Sequence, residues 1–170
     1  MREIWYLLKC PEGDEADYAK DCPGLMASGE MKEIVCFQYQ RMMRYGGRWH
    51  LERRTALPGC VFLDGINVRM LKRDRQGDKT AGRDVSLAPC EAPYLRDLCR
   101  DGRIIELSRG IIRNGAPVVT SGPLQGRERL IRRIDRHKRT AQIEIPLAGE
   151  TRKVTVGLEI YEKDGLAGRE

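Results

Sequence analysis

Short apolar segments separated by turn residues fill the last third of the chain, and their spacing constrains the fold more than any other feature. Asn114-Gly115 and Pro117 mark a turn, and strand-like segments then follow one another at hairpin spacing over about 45 residues. These segments are 117–121, 129–135, 141–147, 153–158 and a short end near Tyr161. Strands this short and this close together are typical of a small barrel. We therefore expect a small β-barrel after a domain boundary near 108–116.

The first two thirds of the chain mix strand and helix signals. Apolar runs at 4–8 and 57–63 favour buried strands, and 33–39 alternates like a strand. Asp14 is a suitable N-cap for a helix with acids in its first turn, and helical spacing of apolar residues predicts a second helix at 91–99. The predicted division is a first domain at 1–110, a linker at 111–116, a second domain at 117–163 and a frayed tail at 164–170.

Positive charge is concentrated in one segment of the predicted second domain. Between Arg127 and Arg139, seven Arg or Lys residues accompany only two acids, Glu128 and Asp135, whereas the whole chain has a net charge of +6. Cations at this density repel one another unless an anion is nearby, and arginine suits bidentate phosphate and guanine contacts. We therefore predict RNA contact here, with a solvated hairpin that maintains solubility as the alternative. The predicted RNA-binding residues are Arg127, Arg129, Arg132, Arg133, Arg136, His137, Lys138 and Arg139.

Two further basic regions have a charged, solvated surface as their default interpretation. A supporting role in nucleic-acid or polymerase contact is the alternative for both. The first consists of Arg69, Lys72, Arg73, Arg75, Lys79 and Arg83, interspersed with acids. The second surrounds a predicted turn, Tyr45-Gly-Gly-Arg48, and consists of Arg41, Arg44, Arg48, Arg53 and Arg54.

The sequence motifs of catalysis and metal binding are missing. The six cysteines contain no C-x-x-C pair and the chain has two histidines, so buried, reduced cysteines fit better than disulfides or a metal site. P-loop, nucleophile-elbow and H-E-x-x-H patterns are also missing from the sequence. We therefore expect neither an enzyme nor a metal or other cofactor. A thiol-dependent hydrolase, with Cys36 or Cys60 beside His50, is the weakest alternative.

Membrane and export signals are missing as well. No stretch approaches the roughly 18 to 20 apolar residues of a membrane span. The first residues lack the apolar core and cleavage site of a signal peptide. We therefore expect a cytoplasmic protein without a membrane partner.

Two separate motifs resemble those of a known family. Trp5-Tyr-Leu-Leu8, then Trp49, then Leu57-Pro-Gly-Cys-Val-Phe62 is similar to the NGN domain that opens NusG-type transcription factors. The segment Val119-Thr-Ser-Gly-Pro-Leu-Gln-Gly126, with Ile134-Asp-Arg-His-Lys-Arg139, resembles their KOW domain. Order and spacing match over nearly the whole chain, and the second motif is most similar to the LoaP-type paralogs, which act as antiterminators at particular long operons. Two positions depart from the family pattern, because Cys60 replaces a usual aromatic residue and Arg129 a usual glycine.

This resemblance implies both a fold and a function. The fold class would be α+β, with an NGN domain of antiparallel sheet and helices followed by a small SH3-like KOW β-barrel. The function would be transcription elongation and antitermination, with the NGN domain docked on the clamp helices of RNA polymerase. The KOW domain would contact nascent RNA, such as a leader hairpin, or the ribosome or a termination factor. The implied polymerase-binding residues are Trp5, Leu57, Pro58 and Cys60.

Two alternatives to that function and its site stay open. The apolar and aromatic residues of the first motif, among them Trp5, Leu57 and Cys60, have the core of the first domain as a simpler role. The whole chain has a second possible function, that of a stand-alone KOW-type RNA-binding or ribosome-associated protein without a polymerase contact.

Overall fold

In the computed structural model, the described residues are 5–20, 33–64, 87–90, 93–99, 102–147 and 149–163. The chain forms two compact units, each assembled from separate segments. The first comprises Met1–Cys36, Leu57–Pro93 and Pro146–Glu150, and the second comprises Phe37–Ala56, Tyr94–Ile145 and Thr151–Glu170. The predicted basic region Arg69, Lys72, Arg73, Arg75, Lys79 and Arg83 and the predicted tail 164–170 lie outside the described residues.

Strands dominate the described part of the chain. In chain order they are β1 (Trp5–Lys9), β2 (Glu33–Val35), β3 (Gln38–Tyr45), β4 (Arg48–Thr55), β5 (Cys60–Asp64), β6 (Leu87–Cys90), β7 (Ile104–Ile105), β8 (Ser108–Arg113), β9 (Ala116–Ser121), β10 (Ile131–Asp135), β11 (Thr140–Leu147) and β12 (Glu150–Lys163). The α-helices among these residues are α1 (Glu15–Lys20) and α2 (Pro93–Leu98), and a single 3-10 turn covers Glu128–Leu130.

The first unit contains a four-stranded sheet with the order β2-β5-β1-β6. The apolar runs of β1 and β5 occupy its centre, and β5 is buried at every position. Helix α1 packs against β5 and is held by Glu15, whose carboxylate accepts N–H bonds from Gly59 at 2.7 Å and Gly13 at 3.0 Å. The largest buried side chains of this sheet are Trp5, Leu7, Phe62 and Leu63.

The second unit contains a five-stranded sheet with the order β10-β11-β12-β8-β9. Two antiparallel hairpins, β8–β9 and β10–β11, are joined through β12, which pairs with β8 in parallel. Asn114, with a φ of +52°, and Gly115 form the β8–β9 turn, so the predicted linker at 111–116 lies within this hairpin. Its buried side chains include Val119, Leu124, Ala141, Ile143, Ile145, Val154, Val156 and Leu158.

A three-stranded sheet with the order β4-β3-β7 completes the second unit. The β3–β4 hairpin turns at Gly46 and Gly47, whose φ angles of +59° and +75° match a two-residue hairpin turn that requires glycine. On β12, a Cβ at Gly157 would overlap the carbonyl oxygen of Gln40 on β3, so only glycine allows this backbone approach.

The expected fold class is wrong. The described residues are mostly strand in three sheets, with two α-helices of six residues each, rather than an α+β NGN domain with helices and a KOW barrel. The five-stranded sheet is also open, because β9 and β10 form its edges and no pairing between described residues joins them. Strand spacing predicted the β10–β11 hairpin, whereas β8 lies where a boundary and a linker were expected, and spacing does not determine which strands pair across a sheet.

Candidate nucleic-acid interface

The tip of the β10–β11 hairpin presents four consecutive basic residues, Arg136 to Arg139. The side-chain oxygen of Asp135 accepts the Lys138 N–H at 2.9 Å and closes the turn. That hydrogen bond, aided by the nearby charges of Lys138 and His137, lowers the pKa of Asp135. The chain leaves the turn at Arg139, with a φ of +52°. The side chains of Arg136, His137 and Lys138 are exposed as a result.

A bulge adds two more cations to the exposed surface of this hairpin. The register between β10 and β11 shifts between Ile131 and Arg133. In a regular strand Arg132 and Arg133 would point to opposite faces, whereas here both are exposed. The bulge therefore explains how the sequence concentrates charge on the solvent side of a short strand.

Carboxylates neutralise some of these arginines but not others. Arg132 pairs with Glu144 on β11 at 3.2 Å, and Arg139 pairs with Glu159 on β12 at 2.6 Å. The remaining exposed cations of this hairpin and of the 3-10 turn before it have no ion pair within the described part of the chain. We call them the unpaired cations: Arg129, Arg133, Arg136 and Lys138.

The first basic residue of the segment has a structural role. The Arg127 guanidinium donates to the Pro123 carbonyl at 2.8 Å, which holds the loop before β10. Glu128 beside it accepts the Val119 N–H at 3.1 Å. Backbone N–H bonds, from its own N–H first and then from Val119 and Gly126, lower the pKa of Glu128 and keep it ionised. This carboxylate is therefore engaged by backbone groups rather than by the cations around it.

A direct contact links this hairpin to the β3–β4 hairpin within the same unit. The Cζ atom of Arg139 lies 3.5 Å from the centroid of the Trp49 ring, and the Arg44 Cζ lies 5.9 Å from it. A guanidinium over an indole face is a favourable cation–π arrangement. Trp49 is still 41% exposed, so its edge remains accessible beside the basic turn.

The end of the β3–β4 hairpin is aromatic, apolar and basic at once. Tyr45 is 51% exposed and Leu51 is 54% exposed. Arg44, Arg48, Arg53 and Arg54 are exposed too, and among the described residues only Arg54 of these four pairs with a carboxylate, that of Glu52 at 3.1 Å. We call this end of the hairpin, residues 44–51, the aromatic arm. One face of the aromatic arm, which carries Trp49 and Arg44, contacts Arg139 of the 136–139 turn, whereas Tyr45 and Arg48 lie on its other face.

The sequence did not predict that Tyr45 and Trp49 belong to this surface. Trp49 had been assigned to the NGN motif or to a core, and Tyr45 to a turn. The signal that places them is the Gly46-Gly47 pair, because a two-residue turn puts Tyr45 next to the turn and Trp49 one pair further along, where little chain is available to cover them.

Three of the four predicted polymerase-binding residues lie in the core of the first unit. Trp5, Leu57 and Cys60 are buried, and Pro58 is exposed. Cys60 begins β5 and is paired with Lys9 of β1 at the centre of the sheet. In this conformation the three buried side chains offer no surface to a partner. This arrangement agrees with the alternative role of these residues, the core of the first domain.

Cys10, Cys60 and His50 are placed as structural residues. Burial, followed by the charge of Glu15, raises the pKa of the Cys10 thiol to about 11, which disfavours the reactive thiolate. His50 stacks on Tyr45, and Cys60 is buried. Within the described ranges, no group of three or more His, Cys, Asp or Glu side chains is arranged to hold a metal ion. No described helix is long and apolar enough to span a bilayer.

Comparison of the chain with models of known protein families and with curated proteins finds no match. The NusG-type resemblance therefore stays a prediction that depends on the motifs quoted above.

Proposed function

We propose that the chain is a cytoplasmic RNA-binding protein that acts in transcription elongation and antitermination. The observation that carries the RNA-binding part is the surface formed by the aromatic arm and the 136–139 turn. There, exposed rings lie beside cations that have no carboxylate partner among the described residues.

The pattern of paired and unpaired cations supports a nucleic-acid ligand. Cations close together in one turn repel one another unless an anion is nearby, and in this turn Asp135 supplies negative charge near Lys138. Glu144 and Glu159 neutralise two arginines of this hairpin, whereas Arg133, Arg136 and Lys138 stay unpaired. Phosphates of a bound strand would supply the missing negative charge.

The aromatic residues distinguish RNA from a simple polyanion. Proteins recognise unstacked bases through aromatic rings and arginine planes, while cations contact the backbone. The contact of Arg139 with Trp49 places both chemistries on one surface of the second unit. A polyanion without bases would use the guanidinium groups and leave Tyr45 and Trp49 without a role.

The resemblance to NusG-type factors supports the proposed role in transcription elongation and antitermination. Under this proposal the first unit contacts RNA polymerase and the second engages the nascent transcript, with the ribosome or a termination factor as further partners. Linkage makes a modest RNA affinity effective, because the tethered site meets the transcript at a high local concentration. Pro58 is the one exposed member of the four predicted docking residues.

A stand-alone RNA-binding or ribosome-associated protein is the second candidate. The burial of Trp5, Leu57 and Cys60 favours it, because it removes three predicted polymerase contacts from the surface. This candidate keeps the same RNA interface and lacks the polymerase contact.

Transcription in vitro through a terminator, on templates with and without a leader hairpin, tests the proposal. We expect the protein to raise readthrough, and a triple variant with Arg133→Gln, Arg136→Gln and Lys138→Gln to lose that effect. Arg132→Gln, which removes a paired cation, is the matched control and should retain it. RNA binding without any change in readthrough would reject the role in transcription and leave the second candidate. No RNA binding at all would reject both.

A further inference from the structure

A preformed aromatic stack lies on one face of the aromatic arm. The rings of Tyr45 and His50 have centroids 3.7 Å apart and an interplanar angle of 8°. The His50 Nε2 atom lies 3.2 Å from the Tyr45 carbonyl oxygen, a hydrogen-bond distance that helps to fix the histidine ring. The stack is therefore built into the hairpin.

Tyr45 is the open end of this stack. Its side chain is 51% exposed, whereas His50 is half-buried. Arg48 is the cross-strand partner of Tyr45 and so shares its face of the hairpin. Burial, the charge of the neighbouring Glu52 carboxylate and a hydrogen bond to it raise the pKa of Tyr45.

Trp49 differs from Tyr45 in what covers its ring. It is paired with Arg44 and lies on the opposite face of the hairpin. The Arg139 guanidinium lies over its ring. Tyr45 is thus the aromatic residue of the arm whose ring is stacked on one side by another ring and is exposed elsewhere.

We propose that Tyr45 is a stacking platform for an unpaired nucleobase, so that the preferred ligand is single-stranded or looped RNA rather than a duplex. This inference rests on the proposed RNA-binding function and specifies its ligand. A base placed on Tyr45 extends the stack to three rings, and Arg48 contacts the adjoining phosphate.

Base pairing excludes a duplex from this platform. Bases inside an A-form helix are already stacked on their neighbours, and the deep major groove does not admit side chains. A splayed base of a loop or single strand has a free face, and stacking accepts any base because every base has one. The aromatic arm therefore favours single-stranded or looped RNA, whereas the unpaired cations attract single-stranded and duplex RNA alike.

Three ligands separate the contributions of base and charge in calorimetric titrations of the full chain. They are a single-stranded RNA of about 12 nucleotides, within the usual site sizes of such proteins, the same RNA annealed to its complement, and inorganic polyphosphate. The variants are Tyr45→Ala, which removes the ring, and Tyr45→Phe, which keeps it. Tyr161→Ala is the matched control, since Tyr161 is 58% exposed but lies on β12 beside Thr120.

We expect Tyr45→Ala to weaken single-stranded RNA binding about 5- to 150-fold, the range for loss of one base–aromatic stack. Affinities for the duplex and for polyphosphate should change less than about twofold, and Tyr45→Phe and Tyr161→Ala should match the wild type. Equal losses for all three ligands, or no loss for any, would overturn the stacking inference while RNA binding stands. A wild type that binds none of the ligands would overturn the proposed function itself.

Discussion

The salt dependence of RNA binding gives the sharpest test of the division between paired and unpaired cations. Each neutralised phosphate of a single strand contributes about −0.7 to the slope of log affinity against log salt concentration. The unpaired cations Arg129, Arg133, Arg136 and Lys138 therefore contribute about −2.8 to this slope, and substitution of the last three by Gln should reduce its magnitude by about 2.1. Between about 50 and 200 mM salt, the wild type should lose roughly 20-fold more affinity than the triple variant.

Fluorescence anisotropy with a labelled single-stranded RNA, repeated across a salt series, measures both slopes. Arg132→Gln is the matched control, because Arg132 already has a partner in Glu144 at 3.2 Å and should release fewer counterions. Its slope should stay within about 0.3 of the wild type. Equal slopes for the wild type and the triple variant would refute the argument, as would a change for Arg132→Gln as large as that for each unpaired cation.

Two further predictions concern stability, measured by urea denaturation. Gly157→Ala should lower the free energy of unfolding by at least about 2 kcal/mol, because the new methyl group overlaps the Gln40 backbone, and a loss below about 0.5 kcal/mol would contradict this packing. Burial alone would raise the pKa of Glu15, but the N–H bonds from Gly59 and Gly13 outweigh burial and lower this pKa from 4.5. The contribution of Glu15 to the free energy of unfolding is therefore present above about pH 4.3, the ordinary pKa of an unfolded glutamate. It is lost as the pH falls through the lower pKa of the folded state. Glu15→Gln should cost about 1 to 3 kcal/mol at pH 7 and should flatten the acid limb of the stability profile, and an unchanged acid limb would contradict the assignment.

The strands that the sequence predicted well have patterns decided by local burial. The apolar runs at 4–8 and 57–63 correspond to β1 and β5, and the predicted helix at 91–99 is confirmed over Pro93–Leu98. Turn residues identified the turn at Asn114-Gly115 for the same local reason, although β8 before it was expected to be a boundary and linker.

Longer strands and sheet order escaped prediction because they depend on distant pairing. Strand β3 runs from Gln38 to Tyr45 through arginine, glutamine and methionine, and full pairing with β4 holds it extended in spite of weak alternation. Strand β12 continues through Gly157, where the sequence indicated a short strand ending nearby, because this glycine permits a close backbone contact. The open sheet escaped prediction for the same reason, since no local sequence signal indicates the parallel pairing of β12 with β8.

The sequence predicted the basic residues of the candidate site but not its aromatic residues, Tyr45 and Trp49. The sequence selected Arg133, Arg136 and Lys138, and the structure leaves them exposed and unpaired. Sequence density cannot separate these cations from Arg132 and Arg139, because their carboxylate partners, Glu144 and Glu159, lie on other strands. Counting charges therefore overstates the number of cations available to a ligand.

Arg139 joins the basic turn to the Trp49 face of the aromatic arm. Its left-handed backbone, with a φ of +52°, ends the basic turn, and its carbonyl accepts the Leu158 N–H at 3.0 Å. Its guanidinium contacts Glu159 and covers Trp49 at the same time. A side chain held by a carboxylate and a ring is restrained, so it is less suited to follow a phosphate than the free arginines beside it. We therefore assign Arg139 a positioning role, in which its side chain holds the aromatic arm against the basic turn.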